Sequence, residues 1–228
     1  MPALPPIPPM PAPSGQAGQP GQPGRRIAAF DFDGTLTHRD TLLPFLVRAF
    51  GARRVAGAVS RVAPLAARAR IGRLEAEIHH RDATKVALLR HLVAGRSADW
   101  LASQGESFAT TLVARLRPQM VEQVRRHRDA GHELVIVSAG LHAYLDPFAA
   151  AEGFDHVIAV GLAASDDGRL TGALEGPNVR GPEKAVRLQA WLGGDVPETL
   201  WAYGNSSGDA ELLAMADVAV WVAGPNAR

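Results

Sequence analysis

The chain has 228 residues, 46% of them hydrophobic, and a formal net charge of +1, enough for one full core plus a modest inserted subdomain. The balanced charge gives no basis for general nucleic-acid binding. The absence of cysteine excludes disulfides, Cys-ligated zinc and thiol nucleophiles. No apolar run approaches the ~20 residues of a membrane span, and no basic-then-apolar leader opens the chain, so a cytoplasmic protein is expected.

Residues 1–24 hold nine of the 17 prolines and no charged side chain. Proline removes backbone donors and glycine adds chain entropy, so this stretch is expected to be a tail that packs on nothing. Ordered structure is expected from Arg25. Ile27 to Phe30 is a short apolar run ending at Asp31, which reads as a buried parallel strand. Glu133 to Val137, ending at Ser138, is a second, and Val157 to Val160 a third. Between the first two, Gln119 to Ala130 has helical spacing of Met120, Val121 and Val124, with Gly131 placed as a C-cap. Pro182 to Leu192 reads as a helix with proline in its first turn. Leu200 to Tyr203 is a fourth strand before a glycine-rich turn, Glu211 to Ala216 a helix, and Val218 to Val222 a last strand. Alternating strands and helices imply an α/β fold with a doubly wound parallel sheet.

Thr41 to about Arg117 breaks the alternation. It is rich in Ala, Leu and Arg, contains no convincing strand, and reads as helices inserted after the first strand. The expected organisation is a tail over 1–24, an α/β core over 25–37 and 119–228, and an all-helical cap over 38–118.

The residues with chemical potential follow predicted strands, where ligands gather in open α/β sheets. The first strand delivers Asp31-Phe32-Asp33-Gly34-Thr35-Leu36-Thr37. Two aspartates at i and i+2 can divide phosphoryl chemistry, one attacking phosphorus and one handling the leaving group's proton. Gly34 lets backbone amides approach an anion. A bare acidic strand end with a glycine turn is an equally weighted alternative. Ser138-Ala139-Gly140 after the second strand can donate to a phosphoryl oxygen, or Ser138 can cap a helix. Lys184 sits at a helix start, the end where cations are disfavoured; it is either held there for an anion or is an exposed lysine. Gly204-Asn205-Ser206-Ser207-Gly208-Asp209 supplies oxygen ligands suited to Mg²⁺, or a turn with an N-cap.

Asp-x-Asp-Gly-Thr, a strand-end Ser, a helix-start Lys and a Gly-Asn-Ser-x-x-Asp turn follow one another in the order of the four motifs of the haloacid dehalogenase (HAD) superfamily. The chain resembles that superfamily over about residues 26 to 223. The helical insert, and Gly168 to Gly172 with Glu175-Gly176, resemble the subfamily that contains phosphoserine phosphatase. The resemblance implies a Mg²⁺-dependent phosphatase acting on a small phosphomonoester. Asp31 would form an aspartyl-phosphate, and Asp33 would protonate the leaving oxygen and then activate water. Ser138 and Lys184 would hold the phosphoryl oxygens, and Ala139, Gly140 and Asp40 would join Ser138 in binding the substrate. Asp31, the Asp33 main-chain carbonyl, Asn205 and Asp209 would hold Mg²⁺.

Two positions depart from the family pattern. Motif four commonly opens with Asp, and Asn205 brings an uncharged amide, so metal binding is expected to weaken or to pass to Asp209. A Glu that reads the substrate amine in the phosphoserine pattern is replaced by Asp40, which serves equally as an N-cap of the first cap helix. A non-catalytic HAD-like protein that binds a phosphorylated ligand is the alternative, supported by Asn205 alone. His79-His80 reads as a solvated pair, because neighbours do not share a helix face. Trp100, Trp191, Trp201 and Trp221 are expected in or near the core.

Thr41 to Leu74 carries Arg48, Arg53, Arg54, Arg61, Arg68, Arg70 and Arg73 and no acidic residue. Arg54, Arg61 and Arg68 would share a face of an unbroken helix, with Pro64 as a potential break. A solvated outer face is the plainer reading. The sharper one is an attraction for a strongly anionic substrate or an anionic membrane, towards which a resemblance to HAD phosphatases acting on phosphatidylglycerophosphate also points.

Overall fold

The computed structural model describes residues 24–71 and 76–222, and within them the side chains outside 64–82. The proline-rich segment before Gly24 and the side chains of His79, His80, Arg68, Arg70 and Arg73 lie outside this description.

Five parallel strands form the central sheet: β1 (Arg26–Phe30), β2 (Glu133–Leu141), β3 (His156–Val160), β6 (Thr199–Gly204) and β7 (Val218–Trp221). Their order is β3-β2-β1-β6-β7. The chain winds outward from β1 through β2 to β3, then returns to the other side of β1 for β6 and β7. The reversal at β1/β6 opens a crevice beyond the carboxyl ends of those strands. β1, β2 and β6 are buried on both faces, which is why they read as continuous apolar runs rather than alternating ones. Helices α5 (Pro118–Asp129), α6 (His142–Glu152), α7 (Pro182–Leu192) and α8 (Ala210–Ala214) connect the strands. The core is rich in rings: Phe30 stacks on Tyr203 at 4.6 Å, and Phe32 meets Phe148 edge-on at 5.1 Å.

Between β1 and β2 come α1 (Leu42–Phe50), α2 (Ala52–Ile71), α3 (Ala76–Val93) and α4 (Ala98–Ala109). α2 runs through Pro64. The two chain crossings between this insert and the core lie side by side, with His38 N–H donating to Arg115 O and Arg117 N–H to Leu36 O. α4 crosses α6 at Gly105, where a Cβ would lie 1.8 Å from the Ala143 carbonyl oxygen, so only glycine permits that approach. α2 buries Val55, Ala58 and Val62 and leaves Arg53, Arg54 and Arg61 exposed. Among the described residues no helix is long and apolar enough to cross a membrane.

The structure departs from the sequence expectation in four places. An antiparallel hairpin, β4 (Leu162–Ala164) and β5 (Leu170–Leu174), was not anticipated. Its strands are short, and Gly172 interrupts β5 because the α3 backbone passes there: a Cβ would sit 2.6 Å from Arg90 Cα. The hairpin is tied to the end of α3 by Gly95 N–H to Leu170 O and Leu170 N–H to Arg96 O. β2 continues past Val137 to Leu141, its register with β3 slipping between those residues. The helix expected over 211–216 is α8, one residue earlier at its start, preceded by a 3₁₀ turn over Ser207–Asp209. Trp221 is 56% exposed, on the edge strand.

Beneath the sheet, His127 on α5 is 1% exposed and His132 7%. The two Nδ1 atoms are 2.7 Å apart, and His127 Nε2 is 2.8 Å from the Tyr203 hydroxyl. Burial, then the neighbouring His132, pulls His127 down to about 4, so it stays neutral in the fold. The unfolded chain takes up a proton near pH 6.5 that the folded chain refuses until about 4. Stability is therefore lost as pH falls through that window, by about 2 kcal/mol between pH 7 and pH 5. Urea unfolding at the two pH values should show this loss, and His127→Gln should flatten it. An equal loss in the variant would assign the acid sensitivity elsewhere.

Candidate active site

β1 ends by handing its pairing on, with Asp31 N–H donating to Tyr203 O at 2.9 Å. The Asp31 carboxylate, 6% exposed, therefore stands at the reversal point of the sheet. Its Oδ1 accepts from Lys184 Nζ at 2.6 Å and its Oδ2 from the Thr35 hydroxyl at 2.7 Å. After Asp31 the chain turns at Gly34, whose φ of +85° is one that other residues rarely adopt. Space also requires glycine here: a Cβ would lie 2.2 Å from Asn205 Nδ2. The same glycine that turns the first loop lets Asn205, from the loop after β6, lie against it.

Asp33 follows on this turn. Its Oδ1 accepts from the Thr41 N–H at 2.9 Å and from the Thr41 hydroxyl at 2.7 Å. Burial, then the Asp40 carboxylate, pushes Asp33 up to about 7 against the pull of those hydrogen bonds. A carboxyl group at that value can both give and take a proton near neutrality. Asp40 is exposed at the mouth, and its Oδ1 accepts from Leu43 N–H at 3.2 Å, so it caps the first turn of α1.

Lys184 projects from the first turn of α7 and is 2% exposed, far from the exposed lysine that such a position usually carries. Besides Asp31 it meets Asp209 Oδ1 at 2.7 Å. Asp209 Oδ2 accepts from Asn205 N–H, Ser206 N–H and the Ser206 hydroxyl at 3.1, 2.9 and 2.9 Å. Both oxygens of Asp209 are thus engaged in holding the loop and the lysine. Both oxygens of Asp31 are engaged in the same way, by Lys184 and Thr35, so the two carboxylates stand alike around one ammonium.

The charges are unequal. Burial would lower Lys184, and Asp31 and Asp209 outweigh it and hold the ammonium charged. Asp209, despite its burial, is held low by Lys184 and by the loop donors. Asp31 is pushed up by burial, opposed by Lys184, and pushed up further by Asp209. One ammonium serves two buried carboxylates, with Asp33 a short distance along the chain.

Ser138 is buried, and its hydroxyl accepts from Gly140 N–H at 3.0 Å. It caps no helix, since α6 begins at His142. Ser138 and Ala139 face the same cavity as Asp31, but Gly140 is not among its lining residues. A Cβ at Gly140 would instead meet Leu145 Cδ1 at 2.7 Å and the Tyr144 hydroxyl at 2.8 Å. Gly140 is a packing glycine. The Ala139 carbonyl accepts from Lys85 of α3 at 2.5 Å, and the same ammonium reaches Asn178 Oδ1 at 2.7 Å, so the cap grips the core beside this loop.

These residues enclose a cavity of about 360 Å³, completed by His38, Arg39, Arg180 and Gly208. Thr41, Lys85 and Arg180 carried no sequence signal; Thr35 lay inside the first motif without an assigned role. Among the described residues no three His, Cys, Asp or Glu side chains come together as a metal set. The donors that fit a hard divalent cation are the Asp31 carboxylate, the Asp33 main-chain carbonyl, the Asn205 amide oxygen and the Asp209 carboxylate, all from residues lining the cavity. The excess of carboxylate over ammonium suits such a cation.

The model of the haloacid dehalogenase-like hydrolase family matches residues 28–214. Protein CicA of Caulobacter vibrioides is 38% identical over 192 residues, covering 84% of this chain and 83% of its own. A phosphoserine phosphatase of Halobacterium salinarum is 31% identical over 203 residues, covering 86% of this chain and 85% of its own. A crystal structure of a Bordetella pertussis protein of unknown function superposes with a TM-score of 0.69 at 32% identity, covering 85% and 87% of the two chains.

Proposed function

The chain belongs to the haloacid dehalogenase-like hydrolase family, and on that premise we propose that it is a phosphomonoesterase working through an aspartyl-phosphate on Asp31. The observation that carries the reading is the Asp31 carboxylate itself, fixed by Lys184 on one oxygen and Thr35 on the other at the floor of an open polar cavity.

An Asp31 oxygen attacks phosphorus, the P–O bond to the alcohol breaks, and Asp33 passes its proton to the departing oxygen. Asp33, now a carboxylate, takes a proton from water. The resulting hydroxide attacks phosphorus, inorganic phosphate leaves, and Asp31 is restored. Asp33 near 7 suits both halves of this exchange. Lys184 and Ser138 hold phosphoryl oxygens, since such transfer depends more on positioning and charge neutralisation than on elaborate bond-making. Asp31, the Asp33 carbonyl, Asn205 and Asp209 would hold Mg²⁺, which would offset the repulsion between an anionic nucleophile and an anionic ester. A binding-only protein would have little use for a second carboxyl group poised near neutrality.

The reading is tested by release of phosphate from p-nitrophenyl phosphate with Mg²⁺ present, followed by a screen over phosphorylated amino acids, sugars, nucleotides and lipid head groups. No turnover of any of them would sink it. The relative from Halobacterium salinarum makes phosphoserine the first substrate to try, with Asp40 at the mouth in a position to meet an amine.

Asn205→Asp adds a carboxylate to the metal set. We expect Mg²⁺ binding, measured by titration calorimetry, to tighten by about tenfold, as charge replaces a dipole. The Mg²⁺ concentration for half-maximal rate should fall in parallel. Unchanged affinity would remove Asn205 from the set.

Contact of α2 with anionic lipid is a separate proposal. Arg53, Arg54 and Arg61 are exposed and line no part of the catalytic cavity. Co-sedimentation with anionic but not neutral vesicles, lost at high salt, would support it; indifference to lipid charge at low salt would leave a solvated face.

A further inference from the structure

Arg180 lies in the loop before α7, and its side chain lines the catalytic cavity. Its guanidinium is laid against Gly208 of the loop after β6: Nε and Cζ are each 3.2 Å from the position a Gly208 Cβ would occupy. Gly208 has no left-handed backbone to explain it, so the missing side chain makes room for the arginine. The Nε atom is buried, and among the described residues it has no hydrogen-bond partner. No carboxylate among them forms an ion pair with Arg180, whereas Lys184 is shared between Asp31 and Asp209. Arg180 as a whole is half-buried, and a guanidinium with no carboxylate partner among the described residues, standing at the wall of the cavity, can take an anion that enters it. Its planar fork matches the oxygens of phosphate or carboxylate.

We infer that Arg180 is a further oxyanion-binding residue of this site, donating to the substrate from the side of the cavity formed by the Gly208 loop. The inference rests on the phosphatase reading for the identity of the substrate. The oxyanion has two sources, the transferring phosphoryl group or a second anionic group on the alcohol it leaves. A purely structural role has its own candidate: Glu211, whose Oε2 is buried with no hydrogen-bond partner among the described residues, lies 3.9 Å from the position a Cβ would take at Gly181, the residue after Arg180.

The experiment compares wild type, Arg180→Ala and Arg180→Lys of the full chain with Mg²⁺ present. Inorganic phosphate binding is measured by calorimetry. Turnover is measured on p-nitrophenyl phosphate and on a phosphorylated hydroxy acid, which adds a carboxylate. Loss of a charge-assisted fork predicts an effect of about tenfold or more for the alanine variant, partly rescued by lysine. Weaker phosphate binding with a raised KM on both esters assigns Arg180 to the phosphoryl group. Unchanged phosphate binding with a raised KM on the carboxylate-bearing ester alone assigns it to the second anion. Phosphate affinity and both KM values within twofold of wild type, with a lowered melting temperature matched by Glu211→Gln, would overturn the inference. Wild type that binds phosphate through Arg180 yet hydrolyses no ester would sink the phosphatase reading and leave Arg180 as an anion ligand. Wild type that binds no phosphate and hydrolyses nothing would sink both.

Discussion

Asp31→Asn should lower turnover of an aryl phosphate by on the order of 10⁴-fold or more, while leaving the melting temperature unchanged or raised. The amide has nearly the same shape as the carboxylate and keeps an oxygen for Thr35 to donate to. It lacks the charge and nucleophilicity needed to bond phosphorus. The fold has no reason to suffer. Burial and Asp209 both push Asp31 up, so ionised Asp31 is a strained species, and removing its charge leaves Lys184 a single, well-held partner in Asp209. Catalytic loss without structural loss is the signature of a group kept for chemistry rather than for stability. Activity retained in a preparation free of other phosphatases would refute Asp31 as nucleophile.

What the sequence disclosed about this site, and what it withheld, follows from range. Asp31, Asp33 and Gly34 fall within four consecutive residues, and a strand end followed by a glycine turn is a local pattern. α7 matches its expected span, because proline at its start and glycine after its end act within a few residues. The hairpin β4–β5 escaped notice because its reason for existing is the α3 backbone, some eighty residues earlier in the chain, which imposes Gly172 on what would otherwise read as a strand. Gly140 follows Ser138 in the second motif, but what its missing side chain avoids is the Tyr144 hydroxyl and the Leu145 side chain. Arg180 could not be singled out among the chain's many arginines without the Gly208 loop folded against it. Lys184 could be suspected from its unfavourable end of a helix dipole, but its burial between two carboxylates is a tertiary fact. The family resemblance supplied the order of the four motifs; the side-chain geometry supplied the reasons for Thr35, Thr41 and Gly34.

Lys184→Met should be costly in both currents of the molecule, stability and turnover. Methionine fills much the same volume, so the effect isolates the charge. Asp31 and Asp209 would then face each other across a buried space with no cation between them, and uncompensated buried charges typically cost about 3–5 kcal/mol. Protonation of Asp31, already pushed up by burial, is the escape route. The sign of the pH dependence follows. A carboxyl group raised in the folded state binds its proton there more readily than in the unfolded chain. Its penalty is therefore small in acid and grows as pH rises above the unfolded value near 4 towards the folded one. The difference in unfolding free energy between wild type and Lys184→Met should widen from pH 5 to pH 8. Adding Asp31→Asn to Lys184→Met should recover part of the stability, because only Asp209 then lacks its cation, and a double-mutant cycle reads that recovery directly. Turnover by Lys184→Met should fall by at least about 100-fold, since it loses a phosphoryl ligand and favours protonation of the nucleophile. A pH-independent stability loss with no recovery in the double variant would mean that Lys184 acts through its packing and not by holding the two carboxylates together.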